Sequence, residues 1–225
     1  MGASIIGRGF GAPRRVWLAA GVGVSLVGAD MYLSGSRAHD FLTRAILGLA
    51  AAGALLLLAR GDWQSLGVLW RPTRGWRYWG IVSVIAAGAI LAFSLVVLIF
   101  VPRLWDITVE RGSELWQSDF LDALIFSCVK SPAVEELLYR AVLCASLVQA
   151  IGRIPTVVVS GLSFAALHFI YGNPGPDNAV AGFLLAWAYL VSDSFAIPLL
   201  MHAGGNLLVL LLQLAVSALT GAGAG

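Results

Sequence analysis

The chain is a ladder of apolar runs, several near the roughly 20 residues that a membrane-spanning helix needs. The runs are Trp17 to Ser34, Phe41 to Ala59, Trp79 to Val101, a long stretch over 119–150, Thr156 to Ile170, Asn178 to Val191 and Phe195 to Val216. Backbone groups in lipid must be paired within the segment, which leaves helices or closed barrels. The period-two alternation of a barrel strand is missing. The expected fold is therefore all-α, a polytopic transmembrane helical bundle of about seven or eight spans. Composition agrees: 59% of the 225 residues are apolar and 12% are charged, against about a quarter charged in a soluble domain. The first run lacks a small-x-small cleavage site and is read as a span, not a signal peptide.

Charge reports topology here, not nucleic acid: the net value is +2, so the expected surroundings are the lipid bilayer, with no nucleic-acid partner. Arg8, Arg14, Arg15, Arg60, Arg71, Arg74, Arg77 and Arg153 fall on one side of a seven-span bundle. Arg37, Arg103 and Arg111 fall on the other. The positive-inside rule then places the N-terminus in the cytoplasm of a multi-pass cell-membrane protein. Residues 61–77 mix Trp63, Trp70 and Trp76 with arginines and read as an interfacial belt. Residues 102–118 read as a connecting loop or surface helix. Pro132 is expected to interrupt the 119–150 helix. Gly152 with Pro155, Asn173 with Pro174, and Asp193 with Ser194 mark turns. The chain divides into 1–118, three spans plus interfacial segments, and a core over 119–216. Cys128 and Cys144 lie in apolar helical sequence and read as small core residues.

Ionisable residues inside spans are functional candidates by default. In the first half, Asp30 and Arg44 sit close enough to helix ends to snorkel. The second half concentrates Glu135, Glu136, Arg140, His168, His202 and Asn206. Glu136 and Arg140 are four apart with the carboxylate first, the favoured order for an ion pair. Glu135 is turned about 100° away and has no such partner on its helix. His202 and Asn206 share a face, as do Phe164 and His168.

Depth tests whether these groups meet. Glu135 lies 17 residues before Gly152 and His168 lies 16 after it, nearly equal depth in an antiparallel hairpin. At a rise of 1.5 Å per residue, His168 is about 9 Å and His202 about 12 Å from the 171–177 face. A carboxylate and two imidazoles at one level in a partly dry site can run general acid–base chemistry. Desolvation would push Glu135 towards neutrality, as a water-activating base requires. Imidazole and amide N–H groups could hold a developing oxyanion.

Ser131-Pro-Ala-Val-Glu-Glu-Leu-Leu-Tyr-Arg140 resembles the Glu-Glu-x-x-x-Arg motif of the CAAX-protease and bacteriocin-processing (CPBP, Abi) family. Phe164-Ala-Ala-Leu-His168 is similar to its Phe-x-x-x-His motif, and His202-Ala-Gly-Gly-Asn206 to its His-x-x-x-Asn motif. The lead-in Asp193-Ser-Phe-Ala-Ile-Pro198 fits as well. The likeness spans 119 to about 215; Tyr139 stands where the family often has Phe. The resemblance implies an intramembrane endopeptidase acting on a membrane-associated peptide or protein. Glu135 and His168 would activate water, His202 and Asn206 would hold the oxyanion, and Glu136 and Arg140 would support them. No cofactor is implied by that scheme.

Other readings use the same residues. Glu135, His168 and His202 plus water would make a three-ligand catalytic zinc site, although HExxH is absent. A proton-coupled transporter could use the cluster, but no inverted repeat supports it. A non-catalytic immunity protein could keep the motifs without turnover. The histidines and Asn206 could also serve only as interhelical hydrogen bonders.

Overall fold

The computed structural model of the protein describes residues 5–36, 40–69, 71–117, 120–172 and 175–220. The readings given above for Arg37, Trp70, residue 119 and the Asn173–Pro174 turn fall outside them. The described residues form eight main helices and no strand. They are α1 (Pro13–Ser34), α2 (Phe41–Leu58), α3 (Gly75–Phe100), α4 (Pro102–Gln117), α5 (120–151), α6 (Arg153–Ile170), α7 (Pro176–Ser192) and α8 (Ala196–Thr220). The all-α bundle read from the sequence is therefore observed. Five of these, α1, α2, α3, α6 and α8, are each long and apolar enough to cross a membrane. Helix α5 and the 17-residue α7, about 26 Å at the helical rise, bring the number to seven. Residues 102–117 are helical, the second of the two states allowed for them.

The chain packs as two compact units that are not consecutive in sequence: 1–76 with 133–200, and 77–132 with 201–225. In the first unit, the stretch 138–148 of α5 is buried without a gap. A helix apolar all round belongs at the centre of a bundle, and α1, α2, α6 and α7 surround this one. Small residues let α6 and α7 approach closely. A Cβ on Gly161 would meet the Phe183 ring at 2.6 Å, and one on Gly182 would meet the Gly161 carbonyl at 2.9 Å.

Hydrogen bonds define the two ends of this unit. At one end, Gly7 N–H donates to Ser65 O at 2.9 Å, Arg15 Nη1 to Leu58 O at 3.2 Å and Gln149 Nε2 to Ile6 O at 2.8 Å. Ile5 N–H and Thr73 Oγ1 both donate to the Asp193 carboxylate, at 3.1 Å each. The N-terminal segment, the 58–73 connection, the end of α5 and the α7–α8 turn therefore share one end. At the other, Ser34 Oγ donates to Tyr171 Oη at 3.4 Å, joining the last residues of α1 and α6.

In the second unit, α3 presents Ile81, Val84, Ile85, Ile99 and Phe100 as exposed side chains, a surface suited to lipid. Trp79, near the start of α3, is not a belt residue. It is 1% exposed and meets Tyr78 edge-on, whereas Trp17 and Trp63 are exposed as a belt requires.

Pro132 does not end α5. The helix passes through it and is π-helical over Phe126–Lys130 and again over Leu137–Cys144. The first π stretch shifts the pairing so that Ser131 N–H bonds Phe126 O. In that register the carbonyl of Ser127 would take the N–H of residue 132, which proline lacks. The adjustment is therefore an altered ladder before the proline, not a break at it.

Candidate active site

Glu135 and Glu136 lie between the two π-helical stretches of α5, a distortion often found at functional positions. Both carboxylates are buried, at 3% and 0% exposure. Glu136 pairs with Arg140 across one turn, Oε2 to Nε 3.1 Å, as the spacing predicted. Arg140 is itself fully buried. Its Nη2 donates to Gly182 O at 3.3 Å, and its guanidinium stacks 4.7 Å from the Phe164 ring centre. The motif arginine thus ties α5 to both α6 and α7.

Glu135 faces the other way, towards α1 and α2. Its Oε1 is 3.6 Å from Arg44 Nη1. Arg44 is in turn clamped by Asp30, Nε to Oδ1 2.7 Å and Nη2 to Oδ2 3.0 Å. Tyr139 Oη donates to the same Asp30 carboxylate at 3.1 Å. One expectation is corrected here. Asp30 and Arg44 do not snorkel: they are 0% and 5% exposed and pair within the bundle. Glu135, without a partner on its own helix, has a cationic neighbour supplied by a different one. The Tyr139 hydroxyl is used by this network. The available signal was a pair of opposite charges at matched depth, one near the end of α1 and one near the start of α2, across a short connection.

His168 sits in the last turn of α6, half-buried. Its Nδ1 is 3.0 Å from Phe164 O. A carbonyl oxygen can only accept, so in the neutral ring this contact puts the hydrogen on Nδ1 and the lone pair on Nε2. The ring is 4.4 Å from Phe164 and 6.2 Å from Tyr171, centre to centre. Tyr171 also lies under Arg44, 5.5 Å from its guanidinium carbon. Glu135 and His168 are thus linked through Arg44 and Tyr171 at the α1–α6 end of the first unit. Burial pushes the Tyr171 phenol, just past α6, up to about 12, so it is a neutral hydrogen-bonding group at neutral pH. Among the described residues of this unit, no three Cys, His, Asp or Glu side chains come together as metal ligands.

His202 and Asn206 belong to the second unit. His202 is buried, at 8% exposure. Asn206 Nδ2 donates to Ser127 O at 2.7 Å. That acceptor is the carbonyl left without a helical donor by Pro132. One amide hydrogen of Asn206 is therefore committed to repairing α5, and one remains. A swap tests this bond. Asn206→Leu should lower the melting temperature in detergent by several degrees, as expected when a buried carbonyl loses its donor, a cost of about 1–3 kcal/mol. Pro132→Ala, which restores the backbone N–H, should recover part of that loss. An unchanged melting temperature in Asn206→Leu would show that the bond carries no weight.

Buried carboxylates and a half-buried imidazole in one helical unit are groups that general acid–base chemistry in a membrane can use. Residues 115–208 match the family model described as type II CAAX prenyl endopeptidase Rce1-like. That segment, which carries the three motifs, is similar to this peptidase family, and the chain has the long apolar helices of a multi-pass membrane protein. No curated protein and no solved structure matches the chain.

Proposed function

We propose that the protein is a glutamate-dependent intramembrane endopeptidase whose core is 119–216, with 1–118 supplying helices that shape the site. The observation that carries this is the opposed setting of the paired glutamates. Glu136 is bound to Arg140 inside α5, while Glu135 is turned out towards the α1–α6 end that also holds His168. Glu135 takes the proton of the attacking water while His168 Nε2 accepts a hydrogen bond from that water, and the proton passes to the leaving amine as the C–N bond breaks. His202 and the second amide hydrogen of Asn206 stabilise the oxyanion. No metal is required by this scheme.

The substrate is a peptide or protein at the membrane, reaching the site from outside the cytoplasm. The end carrying the N-terminal segment and the 58–73 connection is rich in arginine, whereas Asp30, Arg44, Ser34 and Tyr171 cluster at the opposite end. The positive-inside rule makes the arginine-rich end cytoplasmic. A leader peptide or sorting tail fits that access better than a prenylated cytoplasmic protein.

The test is cleavage by the purified protein in lipid, offered matched prenylated and unprenylated peptides with and without a zinc chelator. Turnover of the unprenylated peptide that survives chelation is the expected result. Loss to chelation with recovery on zinc would replace this mechanism by a zinc site of Glu135, His168 and His202. No turnover of either peptide would favour the transporter or immunity reading. Side of access is read separately with Asn173→Cys in a background lacking Cys128 and Cys144. An impermeant thiol reagent should label it in intact cells; labelling only after lysis would reverse the orientation and restore a prenylated substrate.

A further inference from the structure

Among the described residues, the Arg44 guanidinium joins the first two helices to a motif carboxylate. Arg44 spends Nε and Nη2 on Asp30, at 2.7 and 3.0 Å, and turns Nη1 to Glu135 at 3.6 Å. A bidentate pair fixes a guanidinium in its plane. The third nitrogen is therefore aimed, not merely nearby. Asp30 is aimed in turn by Tyr139 Oη, from the same helix as Glu135 and one turn further on. The loop closes from α5 through α1 to α2 and back to α5. Tyr171 backs the outer side of Arg44 with its ring. The other charged groups of this unit near Glu135 are Glu136 and Arg140, which pair with each other.

The geometry points to Arg44 as a positioning residue for Glu135, held in place by Asp30 and Tyr139; this rests on the reading of Glu135 as the catalytic base. The asymmetry of the distances explains why the arrangement suits a base. Asp30 takes the short, two-point contact and satisfies most of the cation. Glu135 takes the longer single contact, which orients the carboxylate yet leaves it able to accept a proton. A base displaced by about 1 Å can lose roughly a hundredfold in rate, so loss of the aim should appear in turnover and not in substrate binding. The first 118 residues, which carry none of the three motifs, would then supply part of the active-site geometry.

The experiment has two readouts on the full-length protein in lipid. The first is a cycle of thermal unfolding with Arg44→Gln, Glu135→Gln and the two together. Coupling is expected: the double variant melts higher than the sum of the single shifts predicts. The second is steady-state cleavage by Arg44→Gln, Arg44→Lys, Tyr139→Phe and the pair Arg44→Gln with Asp30→Asn. That pair removes both charges of the clamp, so it reports even where Arg44→Gln alone does not accumulate. The expected result is a kcat lowered roughly tenfold to a hundredfold with KM changed less than about twofold. Arg44→Lys should recover part of it, and Tyr139→Phe should show a smaller loss of the same kind. Additive melting shifts, or full kcat in the charge-free pair, would overturn the positioning role. If the wild type shows the coupling but cleaves no peptide, the endopeptidase reading fails while the ion pair stands, and the two failures are told apart.

Discussion

Glu135→Gln should reduce peptide cleavage to background, a loss of about 10²- to 10⁴-fold, while the protein accumulates and melts close to the wild type. The magnitude is that of a removed general base. Accumulation follows from the neighbours. Arg44 keeps its two-point contact with Asp30 when the Glu135 charge is lost, so no buried cation is left alone. His168→Ala should act in the same direction for a different reason. Its Nδ1 is anchored within its own helix at Phe164 O, so removing the ring breaks no hydrogen bond between helices, and the proposed role of Nε2 is what the variant tests. Cleavage by purified protein, beside a melting curve for each variant, separates the two effects. Wild-type turnover in Glu135→Gln would remove Glu135 from the mechanism.

Arg140→Ala should fail at assembly. The substitution strands the Glu136 carboxylate at 0% exposure, and breaking a buried pair from one side costs about 3–5 kcal/mol. It also removes the bond to Gly182 O and the stack on Phe164 that tie three helices together. Against a total stability of about 5–15 kcal/mol, most of the protein should be lost from the membrane fraction. Glu136→Ala should be milder, because Arg140 keeps Gly182 O and Phe164 as partners. Replacing both, with Glu136→Gln and Arg140→Met, should restore much of the yield, since no charge is then left unpaired. Membrane yield and monodispersity in detergent measure this. Equal yields with a purely catalytic loss in Arg140→Ala would contradict the structural role.

Helix positions were legible because lipid demands long apolar runs, and these are visible without any contact being known. The intrahelical pair was legible for the same kind of reason: Glu136 and Arg140 are four apart, and the helix repeat alone brings them together. Counting residues to Gly152 put Glu135 and His168 at similar levels, and both meet the Arg44–Tyr171 pair. Partners across helices were not legible. Arg44 and Asp30 each lie near the end of a span, where a sequence reading allows a long side chain to reach water. Whether it does so depends on what packs over it, and here α5 covers both.

Pro132 illustrates the division again. Its missing N–H is a property of the residue, so a disturbed helix could be expected. That the disturbance becomes a π-helical register, with Asn206 supplying the lost donor to Ser127 O, depends on another helix lying alongside. By itself the sequence determined the solvent, the all-helical class, the motif residues and the pairs within one helix, because each follows from local spacing and transfer to lipid. Only the tertiary structure decided that Glu135 faces Arg44, that Tyr139 steadies Asp30 and that Arg140 reaches Gly182. Those contacts join residues up to 109 positions apart, as in the bond from Tyr139 to Asp30, and no helical repeat relates them. They exist because close packing of α1, α2, α6 and α7 around α5 leaves each buried charge no water, so each must find its partner on a neighbouring helix.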